Sequence, residues 1–152
     1  MDEAGSSYIP VCSDGAVCVV SHRSNYQGSN FEAASFQVRE INGATTQRAC
    51  LTSPMRAANV PEFDIATEDP TRIINGVSFL HGISIDAGLG HHMSTDLYRA
   101  FHHGRCYELS INVAITSFAN FDPGTVKEFT HDDEQRVRSE LTLVLDSFRF
   151  LK

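Results

Sequence analysis

The sequence predicts an α+β domain: an antiparallel β-sheet with a long C-terminal helix and a short second helix packed on it. Three observations carry that prediction. Residues 31–41, 97–101 and 106–118 are rich in aromatic and β-branched side chains, and apolar positions alternate along them with the period of a half-buried strand. Gly-containing pairs, Asn42-Gly43, Asn75-Gly76 and His103-Gly104, end or join the strand segments as tight turns do. Near the C-terminus the apolar residues Val137, Leu141, Val144, Leu145 and Phe148 fall on one helical face. At 152 residues, with 41% hydrophobic and 20% charged, the chain is long enough to bury a core as one domain. The expected organisation is a tail over residues 1–7, then a single domain over 8–152.

Residues 1–7 are small and polar and read as frayed. Tyr8 to Val20 holds two β-like stretches around the turn Ser13-Asp14-Gly15, and Ser21 to Asn30 is a polar loop. Phe31 to Ile41 is a strand with Ala34, Phe36 and Val38 on one face. Thr45 to Leu51 supplies one or two helical turns carrying Cys50. Thr52 to Pro70 contains three prolines and mixed charge and predicts a long surface excursion. Ile73-Ile74, Asn75-Gly76 and Val77-Ser78-Phe79 read as a hairpin. His81 to His92 is glycine-rich and has no clear period, so an irregular stretch is expected; Gly88-Leu89-Gly90-His91 within it reads as a flexible loop. Asn120 to Thr130 is a loop around Asp122-Pro123-Gly124. Thr130 is the expected N-cap of the long helix, with Asp132 and Asp133 where the helix dipole favours acids. Val137 lies on the apolar stripe, whereas Arg138 falls about 100° off it, so an alanine at 138 is expected to be silent. Phe148-Arg149-Phe150 returns to period two, as a short final strand or tail would.

A two-residue turn at His103-Gly104 dictates a register. Cys106 then faces Phe101, Tyr107 faces Ala100, Glu108 faces Arg99 and Leu109 faces Tyr98. Tyr98, Ala100, Tyr107, Leu109, Ile111, Val113 and Ile115 share the main core face. Arg99 and Glu108 form a cross-strand ion pair on the other, of the kind that contributes roughly 0.2–1 kcal/mol. Cys106 also lies on that second face, beside Leu97 and Phe101, where an apolar cover is needed. The segment carrying Cys50 is the candidate cover.

The cysteines are Cys12, Cys18, Cys50 and Cys106, and no spacing is C-x-x-C. Four cysteines allow three pairings. The register favours Cys50–Cys106 as a clamp on the second face, with Cys12–Cys18 bridging the turn between them. Two disulfides imply an oxidising compartment. Met1-Asp2-Glu3-Ala4 lacks a basic start and an apolar stretch, so the expectation is an exported chain in mature form: secreted, periplasmic or lipid-anchored after leader removal. The net charge of −7 disfavours nucleic acid and anionic membrane surfaces as partners. No apolar run approaches the roughly 20 residues of a membrane span.

Tyr98-Arg99-Ala100-Phe101, the turn His102-His103-Gly104-Arg105, the strand opening Cys106-Tyr107-Glu108-Leu109 and the ending Leu145-Asp146-Ser147-Phe148-Arg149-Phe150 together resemble the PsbP-like fold group. That group includes a photosystem accessory protein of the thylakoid lumen and many bacterial exported domains. The resemblance covers about residues 72–152 well and residues 8–41 loosely. It implies an antiparallel sheet with helices packed on it, and no activity, because fold does not dictate function.

Five of the seven histidines lie between His81 and His103. Imidazoles suit zinc, copper or nickel, so His91, His92 and His102 are the metal-ligand candidates. Neighbouring histidines on a strand point to opposite faces, however, and His103 has a simpler role as a turn residue at positive φ. There is no H-E-x-x-H, no G-x-S-x-G and no phosphate loop. Glu68-Asp69 and Asp132-Asp133-Glu134 read as a solvated loop and a helix start. No catalytic residue and no cofactor is assigned. The expected function is a non-enzymatic exported domain that binds a protein or small ligand at the cell envelope, with His81, His91 and His92 as the binding candidates. The rival is a metal-binding protein or metal-dependent enzyme using the stretch from His81 to His103.

Overall fold

A computed structural model of the chain describes residues 17–21, 23–52, 64–65 and 69–151. The α+β expectation holds. Among the described residues, seven strands form one antiparallel sheet: β1 Val17–Ser21, β2 Phe31–Ile41, β3 Asp64–Ile65, β4 Thr71–Ile74, β5 Val77–Gly88, β6 His91–His102 and β7 Arg105–Thr116. The order across the sheet is β1-β2-β7-β6-β5-β3, and β4 pairs with β5. A short helix α1, Gln47–Thr52, and a long helix α2, His131–Ser147, lie on opposite faces.

The meander from β4 to β7 is built on three two-residue turns. Asn75 and Gly76, Leu89 and Gly90, and His103 and Gly104 all have positive φ, between 46° and 84°. Positive φ at both central residues is the turn whose twist matches a pair of antiparallel strands. The last turn produces the predicted register: Cys106 pairs with Phe101, Glu108 with Arg99 and Leu109 with Tyr98. The middle turn overturns an expectation. His81 to His92 is not irregular but the distal part of two twelve-residue strands, and Gly88-Leu89-Gly90-His91 is a tight turn rather than a flexible loop. Glycine suits position 90: its φ of 81° strains any L side chain, and a Cβ would lie 2.0 Å from the Asn120 amide nitrogen, which would have to give up its bond to the Gly90 carbonyl.

The first face carries the core. Phe36, Val38, Tyr98, Leu109, Ile111 and Val113 meet Val137, Leu141 and Leu145 of α2. The helix starts where expected, with Thr130 and Asp133 in a reciprocal capping box that satisfies two otherwise orphaned backbone donors. Phe148 and Phe150 follow it as an extended tail, not a strand, and Phe150 packs 4.7 Å from the Tyr107 ring. At the far end, Asn30 ties the chain before α2 to the sheet: its amide donates to the Thr116 carbonyl and its oxygen accepts from Phe129 N–H.

The second face is clamped at one end. Cys50 of α1 and Cys106 of β7 form a disulfide with a Cα–Cα separation of 5.4 Å, and both are buried with Ala44 beside Phe101, Ile41 and Leu51. Part of the expected surface excursion joins the sheet edge, since Asp64 and Ile65 pair with Ile83 and Gly82. The tail over residues 1–7, the first of the two expected β-like stretches and Cys12 lie outside the described residues, and with them the Cys12–Cys18 pairing, although Cys18 is itself disulfide-bonded. Among the described residues, no helix is long and apolar enough to cross a membrane.

Candidate functional site

Alternation along β5 and β6 decides where each candidate histidine goes. On β6 the even-numbered side chains share the face of α2, and the odd-numbered ones share the face of α1. His91 and His92 therefore point to opposite faces, and His102 sits at the other end of a twelve-residue strand, about 36 Å from His91 at a strand's rise per residue. The three metal-ligand candidates are not brought together. Among the described residues, no group of three or more His, Cys, Asp or Glu side chains is placed to hold a metal ion.

Each histidine instead has its own neighbourhood. His91 pairs through Nδ1 with Glu32, whose carboxylate also accepts from Thr116 Oγ1 at 2.5 Å. His102 stacks between His103 and Phe150, with ring centroids 4.0 and 4.1 Å away. His92 is exposed and lies across from Ala87.

His81 is the most constrained. Nε2 lies 2.9 Å from Asp96 Oδ1, Nδ1 lies 3.0 Å from the Asp69 carbonyl, and the ring stacks on Tyr98. A carboxylate and a carbonyl are both acceptors, so both ring nitrogens must donate, and only the imidazolium does that. The bond to Asp96 raises the His81 pKa, burial opposes it, and the Asp69 carbonyl raises it further. Burial, reinforced by the Asp96 charge, pushes the Tyr98 hydroxyl up to about 12. His81 has no ring nitrogen left to serve as a base.

Asp96 also binds Arg138 of α2, Nη1 to Oδ2 at 2.5 Å, while Arg138 Nη2 contacts Ser94 and Nε bonds Glu134 at 2.9 Å. Arg138 is thus not the bystander its position off the apolar stripe suggests: its guanidinium reaches across the helix edge to β6 and is only 17% exposed. The spacing of Glu134 and Arg138, four apart, was the available signal for half of this network.

On the opposite face, Arg99 and Glu108 form the predicted pair, but it is buried, at 1% and 2% exposure. Arg39 completes it from β2, with Nε 2.6 Å from Glu108 Oε1, and Arg99 Nη1 donates to the Cys50 carbonyl. Register sets Arg39, Glu108 and Arg99 directly across three strands. Beyond them Ser35, Asn112 and Thr95 form a second such row, bonded to one another. Both rows are structural, since each polar group is satisfied by its neighbours.

What the hairpin leaves open is apolar. Ile83 and Ile85 alternate along β5 on the α2 side, directly across from Asp96 and Ser94, and are 44% and 73% exposed. Leu89, at the tip, is 92% exposed with φ 51°. The alternation Ile83-Ser84-Ile85-Asp86 is the sequence signal that would have revealed this stripe, but it was masked by the surrounding glycines and by a leucine in a turn position that normally takes Asn, Asp or Gly.

No protein-family model and no curated protein matches the chain. Among solved structures, the chain is similar to the crystal structure of LpqN, a protein involved in cell envelope biogenesis of Mycobacterium tuberculosis. The identity is 13% and the TM-score 0.43, over 76% of this chain and 61% of that one. The match thus spans about three-fifths of the length of LpqN.

Proposed function

We propose that this chain is an extracytoplasmic binding domain that holds a protein partner through the distal β5–β6 hairpin and performs no chemistry of its own. The observation that carries this reading is the exposed stripe of Ile83, Ile85 and Leu89. Ile83 and Ile85 share one face of β5 and Leu89 projects from its tip, so one end of the hairpin offers several apolar side chains to solvent, and a clustered apolar surface is what contact with another protein requires. His92 lies on the same face, next to the stripe, and is the histidine available to a partner; His81 and His91 brace the strands that present it. The buried Cys50–Cys106 bridge supports an oxidising compartment. The separation of His91, His92 and His102 weighs against the metal-dependent alternative.

The test is cross-linked capture from the native extracytoplasmic fraction, with the wild type, an Ile85→Ser/Leu89→Asn double variant and an Arg136→Ala surface control. The expected result is a protein captured by the wild type and the control and lost with the double variant. Capture unchanged by the double variant would remove the hairpin as the contact. Substrate turnover abolished by a single point change would overturn the reading as a whole.

A further inference from the structure

We infer that His81 is a pH-sensitive latch on the edge of the sheet: protonated, it pins the strap over residues 69–70 that leads into β4, and on losing its proton to solvent it releases that strap while keeping its hold on Asp96.

The latch stands on geometry. His81 of β5 reaches two other parts of the chain at once, with Nε2 2.9 Å from Asp96 Oδ1 of β6 and Nδ1 3.0 Å from the Asp69 carbonyl. The ring lies flat on Tyr98, 4.6 Å between centroids and 6° between planes, so both contacts belong to one ring orientation. The neutral imidazole carries a single N–H, and one of the two acceptors must then lose its donor. A hydrogen bond to a carboxylate is roughly twice as strong as one to a neutral carbonyl, so the remaining proton stays on Nε2, facing Asp96. Nδ1 then turns a lone pair on the Asp69 oxygen. Two acceptors at that distance with no proton between them repel, and the strap is the part that can move.

The release is local, because the two ends of β4 are held differently. At the far end Ile74 is buried, Arg72 Nη2 donates to Asp146 Oδ1 at 2.6 Å, and the Asn75 amide donates to the Asp146 and Phe148 carbonyls at 3.0 and 2.6 Å. At the strap end Asp69, Pro70 and Thr71 are all exposed. What ties the strap to β5 is His81 itself, through its ring on the Asp69 carbonyl and its backbone N–H on the Pro70 carbonyl at 2.8 Å. Thr71 then opens the ladder opposite Leu80.

The charges around the ring set the direction. The bond to Asp96 favours the imidazolium, burial opposes it, the Asp69 carbonyl and the Asp96 charge favour it, and Arg72 of β4 opposes it; the sum lies above the ordinary histidine value. From α2, Arg138 occupies the other Asp96 oxygen and is shared with Glu134, while Asp146 engages Arg72. The Tyr98 hydroxyl, pushed up to about 12, stays neutral. β3 brings Asp64 to the position across from Ile83. The latch is therefore closed below about pH 6.5 and opens as pH rises through the folded value.

The test follows the whole domain, labelled with nitrogen-15, between pH 5.5 and 8.5. Imidazole nitrogen shifts of the wild type should show both ring nitrogens protonated at the low end and the Nε2–H tautomer at the high end. Over the same range the protection of the His81 amide, corrected for intrinsic exchange, should fall by about fivefold or more, whereas that of Arg138 in α2 stays level. The Asp69 and Thr71 amide signals should move with the His81 titration. In His81→Gln, whose side-chain amide does not titrate, the same protection should be independent of pH. An Nδ1–H tautomer at high pH, or an unchanged His81 amide in the wild type, would overturn the latch, and neither measurement needs a variant to fold. An equal loss at Arg138, or a loss that persists in His81→Gln, would overturn it as well, since the loosening would then be global or due to another group.

Discussion

The two ends of the β5–β6–β7 meander are made of similar strands and meet different fates. At the His103-Gly104 end, Leu97, Tyr98, Ala100, Cys106 and Leu109 are buried, one face under α2 and the other under α1 and its disulfide. Even the ions there are enclosed, with Glu108 gripped by Arg39 and Arg99. At the Leu89-Gly90 end the strands are as regular and as long, yet Ile83, Ile85 and Leu89 face solvent. Regular hydrogen bonding is therefore not what separates the covered end of this sheet from the exposed one. The difference is whether another element of the same chain covers the apolar side chains.

That contrast predicts a graded response to substitution. The largest effect belongs to Val137→Asp, which puts an unpaired charge at a fully buried position and should cost on the order of 4 kcal/mol or more. A urea midpoint near that of the wild type would mean that α2 is not the base of the core.

Replacing both Cys50 and Cys106 by alanine opens a loop of sequence separation 56, for which the chain-entropy relation gives about 4 kcal/mol as an upper value. The loss should appear in chemical denaturation and should localise, by hydrogen exchange, to α1 and the Arg99–Glu108 region. Faster exchange at the Leu89 tip instead would show that the two ends are coupled.

Arg138→Ala should cost about 1–2 kcal/mol, between an exposed and a buried ion pair, whereas Arg136→Ala, two residues away and mostly exposed, should be nearly silent. Equal midpoints for the two would restore the bystander role that helical periodicity alone assigns to Arg138.

The His81 contribution has a sign set by its partners. The imidazolium is held by Asp96 and the Asp69 carbonyl against the effect of burial, so the pKa in the folded state lies above the ordinary value of about 6.5. The associated stability is fully present below about pH 6.5 and is lost as pH rises through the folded value. The stability of the wild type minus that of His81→Gln, followed from pH 5.5 to 8.5, should therefore decline with pH. A flat difference would mean that His81 stays in one protonation state throughout.

The smallest effect is expected at the exposed tip. Ile85→Ser should change stability by no more than about 0.5 kcal/mol, and Leu89→Asn should be neutral or slightly stabilising, because Asn tolerates the left-handed conformation. A marked loss in either melt would show that the stripe serves the fold and not a partner.

Much of the architecture is legible in the residues. Strand β2 occupies the predicted span Phe31–Ile41, α2 starts at its Thr130 cap, and one turn at His103-Gly104 sets the whole β6–β7 register and, through it, the place of Cys106 opposite a cover carrying Cys50. The distal hairpin is not legible in the same way. Gly82, Gly88 and Gly90 break the alternation that marks a strand, and Leu89 at the first turn position carries no turn signal. The site is less legible still, because a histidine cluster in sequence becomes four separate environments once the residues alternate across a sheet.

By itself the sequence determined what depends on neighbours along the chain: the strand periods, the turns, the helix cap, and the register that follows from a two-residue turn. Only the tertiary structure decided which apolar side chains are covered, that Arg39 joins Arg99 on Glu108, and that Arg138 reaches Asp96. The physical reason is range. Backbone dihedrals and side-chain alternation are local, whereas burial and ion pairing depend on which distant element arrives at a given face, and none of the described elements covers Ile85 or Leu89.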